Sequence, residues 1–174
     1  MQWLLILAVL GGAAFFGVTY FQNKFNALKS KANEAKRKVL GALDVRIELI
    51  KRLDSQLERG ESIGKNAVSS ALRLAEKAAN TQRIDELALL IDDKNKHLER
   101  ASMQLRNPNL TENANRLNPI LDELSDNSRK LQLARREYND HAKEYNQMAG
   151  SGVGSFVAQI MKFEQLPIMG SLQD

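Results

Sequence analysis

The stretch WLLILAVLGGAAFFGVTYF, residues 3–21, contains no charged side chain, and the chain becomes basic and hydrophilic directly after it. A helix of roughly 20 apolar residues is about 30 Å long, which matches the hydrocarbon core of a bilayer. Lipid offers no partner for backbone polar groups, so such a stretch crosses a membrane as a helix. It therefore predicts an N-terminal transmembrane signal anchor over residues 1–22.

A cleaved signal peptide is the alternative interpretation of the same residues. Signal peptides have a basic start, a shorter apolar core and a cleavage site with small residues. Here only the amino group of Met1 precedes the apolar run, and the weak candidate cleavage site, Ala13-Ala14, lies inside it. These differences favour an anchor that stays attached.

The residues that follow the anchor predict its orientation. Six basic side chains stand against one acid there: Lys24, Lys29, Lys31, Lys36, Arg37 and Lys38. Because basic residues collect on the cytoplasmic side, the pattern predicts a single pass through the inner membrane, with the N-terminus outside and the C-terminal domain cytoplasmic. The six are also candidates for contact with anionic headgroups. Alternatively, they solvate one helix face.

Apolar residues beyond the anchor recur at steps of three and four, the spacing of one helix face. The first stripe runs from Leu28 to Leu57, and no proline or glycine separates it from the anchor. Residues 62–106 continue the pattern as one helix or as two that meet near Asn80. No useful stretch alternates with period two. The chain is thus predicted to be all-α, with the transmembrane helix continuing into a long antiparallel bundle of three to four helices over residues 23–149.

The last stripe runs from Leu117 to Tyr145, and Asn118-Pro119 predicts a regular helix that begins close to Asn118. Asn127 and Ser128 interrupt its apolar face. Polar residues in such a position usually form a hydrogen bond between helices that fixes their register.

Residues 150–174 are predicted to be a glycine hinge followed by a short amphipathic tail. Gly150 to Gly154 would form the hinge, and the apolar residues after it would pack on the bundle or rest on the membrane surface.

The composition supports no chemical activity. The chain has no cysteine, and His97 and His141 lack the glutamate three residues earlier that a di-iron bundle requires. A net charge of +4 is too small to indicate nucleic-acid binding. The sequence thus predicts no catalytic residue, no metal site and no cofactor.

The run ARREYNDHAKEYN, residues 134–146, places Tyr138 and Tyr145 on one helix face, each followed by an asparagine. It resembles the C-terminal helix signature of the LemA family of bacterial membrane proteins. The signature residues are Ala134, Arg135, Tyr138, Asn139, Tyr145 and Asn146.

Other segments resemble the family in the same order. Phe25-Asn26-Ala27-Leu28 stands where the family has Tyr-Asn-x-Leu, and residues 43–47 resemble its Ile-Asp-Val-Gln-Leu, with Arg46 in place of glutamine. Asn107-Pro108-Asn109-Leu110 resembles Tyr-Pro-Asp-Leu, and residues 156–158 stand at the family's apolar tail. The family's paired arginines on the first helix are replaced by Leu49-Ile50, which marks a divergent member.

The resemblance implies an anchored antiparallel helical bundle without an established enzymatic activity. The leading hypothesis is a non-enzymatic scaffold that offers helix faces to protein partners, or to copies of itself, at the membrane. Alternatives are a structural subunit of a larger protease or transporter assembly and, third, an enzyme that uses His141, Glu137 or Tyr138.

Overall fold

The computed structural model describes residues 2–57, 62–81, 84–106 and 114–170, and gives the backbone alone at residues 2, 4–11, 13, 14, 62–64, 85, 92–97, 114 and 115. The helices are α1 Gln2–Gln56, α2 Ser62–Asn80, α3 Ile84–Leu105, α4 Ala114–Gly150 and α5 Gly152–Ile160. The described residues contain no strand. The all-α prediction is confirmed.

Helices α1 and α4 form a long antiparallel pair, and the other helices pack against it. The Phe25 and Tyr145 rings are 5.2 Å apart, and Lys38 Nζ lies 2.8 Å from Glu137 Oε1. Arg52 Nη1 lies 3.0 Å from Glu123 Oε2. Residue numbers rise along one helix as they fall along the other. We call the end near Phe25 and Tyr145 the proximal end, and the opposite end of the pair the distal end.

Helices α2 and α3 form an antiparallel hairpin along the distal part of this pair. Lys51 on α1 contacts Glu76 on α2 at 3.1 Å, and Arg106 after α3 contacts Asp122 on α4 at 2.7 Å. Residues 62–106 are therefore two helices rather than one. The result is a four-helix bundle in which successive helices reverse direction, as the three-to-four-helix prediction expects.

The core follows the predicted stripes and divides into three clusters along the pair. The distal cluster is aliphatic and joins α1 to α4, with members that include Ile50, Leu53, Val68, Leu105 and Leu121. The middle cluster contains Val39, Leu43, Leu87, Ile91 and Tyr138. At the proximal end α5 replaces the hairpin as the third layer, and Val157 and Ala158 pack there against Phe25 and Leu28.

The polar break in the α4 stripe forms the expected contacts between helices. Asn127 Nδ2 donates a hydrogen bond to the Ala42 carbonyl at 3.0 Å, and Arg46 Nη1 donates one to Ser128 Oγ at 2.8 Å. Both bonds join α4 to α1, so they fix the register of the central pair.

One predicted helix boundary is wrong. Helix α4 begins at Ala114 and contains Pro119, so it does not start at Asn118. A proline this close to a helix start removes one intrahelical hydrogen bond, and Leu117 and Ile120 are buried on either side of it. Arg59-Gly60, a basic residue followed by glycine, predicts the stop of the first helix, and these two residues lie outside the described ones.

The predicted hinge over Gly150–Gly154 is also much shorter than expected. Gly150 belongs to α4, Gly152 and Gly154 belong to α5, and Ser151 alone separates the two helices. Gly152 takes a positive φ of 43°, which glycine adopts at little cost. A Cβ at Gly154 would overlap the Met148 carbonyl, so a side chain there would push α5 away from α4.

Within the described residues, no helix is apolar over a length that would cross a membrane. Of the predicted anchor, the side chains at 4–11, 13 and 14 lie outside the described residues.

Candidate functional site

Several signature residues of α4 bind a segment close to the C-terminus. After α5, a turn at Lys162, with φ 53°, reverses the chain, and residues 163–170 run without regular secondary structure along α4 toward the middle of the bundle. We call residues 163–170 the C-terminal segment and the α4 side chains that bind it the clamp.

Asn146 forms the first contact of the clamp. Its Nδ2 donates to the Leu166 carbonyl at 2.7 Å, and its Oδ1 accepts a hydrogen bond from the Leu166 backbone N–H at 2.8 Å. One amide side chain thus satisfies both main-chain groups of one residue. The opposite residue of a neighbouring strand makes the same pair of bonds in an antiparallel sheet.

Asn139 binds the backbone in the same way three residues further along the segment, at Met169. Its Oδ1 accepts from the Met169 N–H at 2.9 Å, and its Nδ2 lies 3.3 Å from the Met169 carbonyl. Seven helical residues span about 10.5 Å, and three extended residues span about 10 Å. The spacing of the two asparagines therefore matches the spacing of Leu166 and Met169.

Tyr138 and Arg135 complete the clamp. The Tyr138 hydroxyl donates to the Pro167 carbonyl at 2.7 Å, and Arg135 Nε donates to the Met169 carbonyl at 2.7 Å. Burial raises the pKa of Tyr138 to about 12, so its phenol keeps the donated proton at neutral pH. Gly170, with φ 47°, fits closely between α3 and α4, because a Cβ there would lie 2.6 Å from Arg135 Nη2.

An aromatic cluster joins the segment to the proximal end of α1. The Phe163 ring lies 4.9 Å from Phe25 and 6.5 Å from Tyr145. Burial, with a smaller contribution from Glu164, raises the pKa of Tyr145. Signature residue Ala134 is 7% exposed and packs in the middle cluster. All six signature residues thus serve packing or the clamp.

Helix α5 presents two different faces. Gly154, Val157 and Ala158 are buried against the bundle. On its outer side, Val153, Phe156 and Ile160 are 61%, 62% and 56% exposed. The clamp binds the chain after α5, and α4 directly precedes α5, so both ends of α5 are held and its outer face has a fixed position.

The six basic residues do not form one patch. Lys24 to Lys38 span 15 residues of α1, or 14 helical steps of about 21 Å in all, and all but the partly buried Lys36 are exposed. Lys38 pairs with Glu137 and Glu34, and its hydrogen bond with Glu137 raises the pKa of Lys38. Lys24 is the one closest to the uncharged stretch.

A buried arginine lies where sequence reasoning placed no special residue. Arg46 is 2% exposed and borders a cavity of about 240 Å³ that Ser102, Ser125 and Gln132 also line. Its Nε has no hydrogen-bond partner among the described residues, and burial lowers the pKa of Arg46 to about 10. The available signal was its spacing, since position 46 falls three residues after Leu43 and four before Ile50 on the buried stripe.

A groove runs along the side of the α1–α4 pair, with a volume of about 670 Å³. Val45 and Leu133 line it and are 50% and 60% exposed. Gly41 lines the groove on α1, and no atom of the described residues outside its own turn of α1 lies within 4 Å of the position that a Cβ would take there. Charged side chains of both signs border the groove: Lys38, Lys130, Glu123, Asp126 and Glu137. We call it the α1–α4 groove.

Metal ligands do not gather within the described residues, where no group of three or more His, Asp or Glu side chains could hold an ion. His141 is partly buried on α4, and the His97 side chain lies outside the described residues.

Comparison with known proteins gives one family match. The model of the LemA family matches residues 35–171, which include the clamp and the segment that it holds. No curated protein matches the chain. Since the match covers most of the chain and agrees with the signature on α4, the protein belongs to the LemA family.

Proposed function

We propose that this protein is a non-enzymatic scaffold that residues 3–21 anchor in the cytoplasmic membrane, with its bundle in the cytoplasm. The observation that carries the proposal is the continuity of α1, which runs unbroken from Gln2 to Gln56. A helix of 55 residues is about 80 Å long. The uncharged end and the bundle therefore belong to one rod.

The exposed side chains near the start of α1 support the anchor. Trp3, Phe15, Phe16 and Tyr20 are 79%, 69%, 75% and 62% exposed. Large apolar side chains that gather on an exposed surface usually mark an interaction site. Lipid is the partner that suits the uncharged part of the helix, residues 3–21, because of its length. The aromatic residues toward the two ends of this part suit the headgroup layers.

The α1–α4 groove is the surface that the scaffold would offer. Apolar Val45 and Leu133 lie between charged borders, an arrangement that fits one amphipathic helix of a partner protein. The proposal assigns no catalytic step and no cofactor to the chain.

Anchoring and orientation are tested in intact cells. The protein should stay in the membrane fraction after an alkaline carbonate wash, and a variant that lacks residues 2–21 should not. Protease added outside the cells should leave the bundle intact. Release of the full chain by carbonate, or digestion of the bundle from outside, would contradict the proposal.

The scaffold role is tested with a photo-crosslinking amino acid at Val45 or Leu133 in native membranes. The expected result is a discrete crosslinked protein, identified by mass spectrometry, that the same amino acid at exposed Ser70 on α2 does not capture. Equal capture at Ser70, or none at either groove position, would contradict a partner in the groove. A partner at fixed stoichiometry would favour a structural subunit of a larger complex.

A further inference from the structure

The outer side of α5 forms a small apolar surface without a partner within the described residues. Val153, Phe156 and Ile160 follow each other at steps of three and four, so they share one face of the helix. All three are more than half exposed, and α5 contains no charged residue. We call these three residues the α5 apolar face.

This face lies level with the point where α1 becomes uncharged. Tyr145 packs on Phe25, and Gly150 lies five residues further along α4, about 7.5 Å closer to the start of α1. The end of α4 is therefore level with about residue 20 of the antiparallel α1. Val18 and Phe21 pack on the same proximal cluster as Val157 and Ala158 of α5.

The size of the face argues against a protein partner as its main occupant. An aromatic side chain buries about 150–250 Å², so one phenylalanine and two smaller aliphatic side chains that are all partly covered offer roughly 300 Å². A stable protein interface buries about 800 Å² on each partner. A lipid interface has no such minimum, because an amphipathic helix lies about 5–10 Å deep in the headgroup boundary.

The charges around α5 fit the same location. Exposed charges flank residues of the proximal cluster in the chain: Lys24 precedes Phe25, Lys143 and Glu144 precede Tyr145, and Lys162 and Glu164 flank Phe163. Basic side chains that lie close to a membrane surface are attracted to its anionic lipids.

We propose that the α5 apolar face inserts into the interfacial layer of the leaflet that α1 enters. The protein would then touch the membrane at two sites, the anchor and α5, and the bundle would stand at a fixed angle instead of turning freely on the anchor. The clamp is essential to this arrangement because it holds the C-terminal side of α5. This inference rests on the proposed anchor.

The test uses the full chain in nanodiscs made from equal parts of phosphatidylcholine and phosphatidylglycerol. The chain has no cysteine and one tryptophan. Single cysteines at Val153, Phe156 or Ile160 carry a fluorescent label, and brominated phosphatidylcholine quenches labels that reach the lipid. Leu133→Cys is the matched control, because Leu133 is also apolar and 60% exposed but lies about 18 Å along α4 from Tyr145.

We expect the quenching at each of the three α5 positions to be at least about three times the quenching at position 133. The α5 labels would lie in the shallow interfacial layer, and the label at position 133 would lie outside it. Trp3 reports on the anchor in the same samples. Quenched Trp3 with α5 labels at the level of position 133 would overturn the inference and leave the anchor standing. Unquenched Trp3 would overturn both. Efficient disulfide formation between two copies of Phe156→Cys would replace lipid with a second copy as the occupant and would also overturn the inference.

Discussion

Replacing Asn146 by alanine should release the C-terminal segment locally and leave the bundle folded. The substitution removes two hydrogen bonds, at 2.7 and 2.8 Å, between one side chain and the backbone of Leu166. Each bond contributes about 1 kcal/mol net, so docking should weaken by about 2 kcal/mol. Because every 1.4 kcal/mol is a factor of ten, the open population should rise roughly 30-fold.

Amide hydrogen exchange in the full chain measures this opening directly. Met169 is the best reporter, since its N–H donates to Asn139 and not to the altered residue. Labelling with 15N-methionine places it among only five methionines. If the segment opens as one unit, Met169 exchange should accelerate by up to the same factor, while amides in the middle of α4 keep their rates.

Gln147→Ala is the matched control, because Gln147 is the exposed neighbour of Asn146 on α4. It should leave Met169 exchange unchanged. The reasoning fails if Asn146→Ala changes Met169 exchange less than twofold, or if both substitutions accelerate it equally. The first result would mean that packing at Phe163 and Met169 holds the segment without the amides.

Three further predictions concern other parts of the fold. Gly154→Ala should detach α5, because the new Cβ overlaps the Met148 carbonyl, and it should speed proteolysis between residues 151 and 162. The control Gly41→Ala, in open space on α1, should instead raise the free energy of unfolding by about 1 kcal/mol. Arg46→Gln should raise that free energy by about 1 kcal/mol in urea titrations, because it removes a buried charge and keeps an amide donor near Ser128; a loss of similar size would show that the charge has a partner. Burial raises the pKa of Tyr138 from about 10 to about 12, so the stability that its protonated form contributes should be complete below pH 10 and disappear as pH rises through 12; Tyr138→Phe should reduce this alkaline loss, and an unchanged pH profile would contradict the assignment.

Helical periodicity was sufficient to predict most of the fold. The stripes from Leu28 to Leu57 and from Leu117 to Tyr145 fall on the buried faces of α1 and α4. Periodicity could not place the start of α4, since the burial of Leu117 and Ile120 outweighs the hydrogen bond that Pro119 removes. Nor could it settle the break near Asn80, which depends on how the hairpin packs.

The sequence allowed only part of the clamp to be predicted. It shows an asparagine after each signature tyrosine, but an amide side chain does not indicate which group it binds. Its partner is the backbone of Leu166 and Met169, and main-chain groups leave no trace in the sequence. Arg46 was missed for a different reason: a charged residue on an apolar stripe is normally assigned to the solvent side, and burial could only be seen once three helices surrounded it.

Because Asn139 and Asn146 bind main-chain atoms only, these two amides recognise the path of the segment and not the side chains at positions 166 and 169. Both amides require an N–H at the position that they bind. Proline would remove the bound N–H at positions 166 and 169, whereas Pro167 lies at a residue whose carbonyl, and not its nitrogen, is bound.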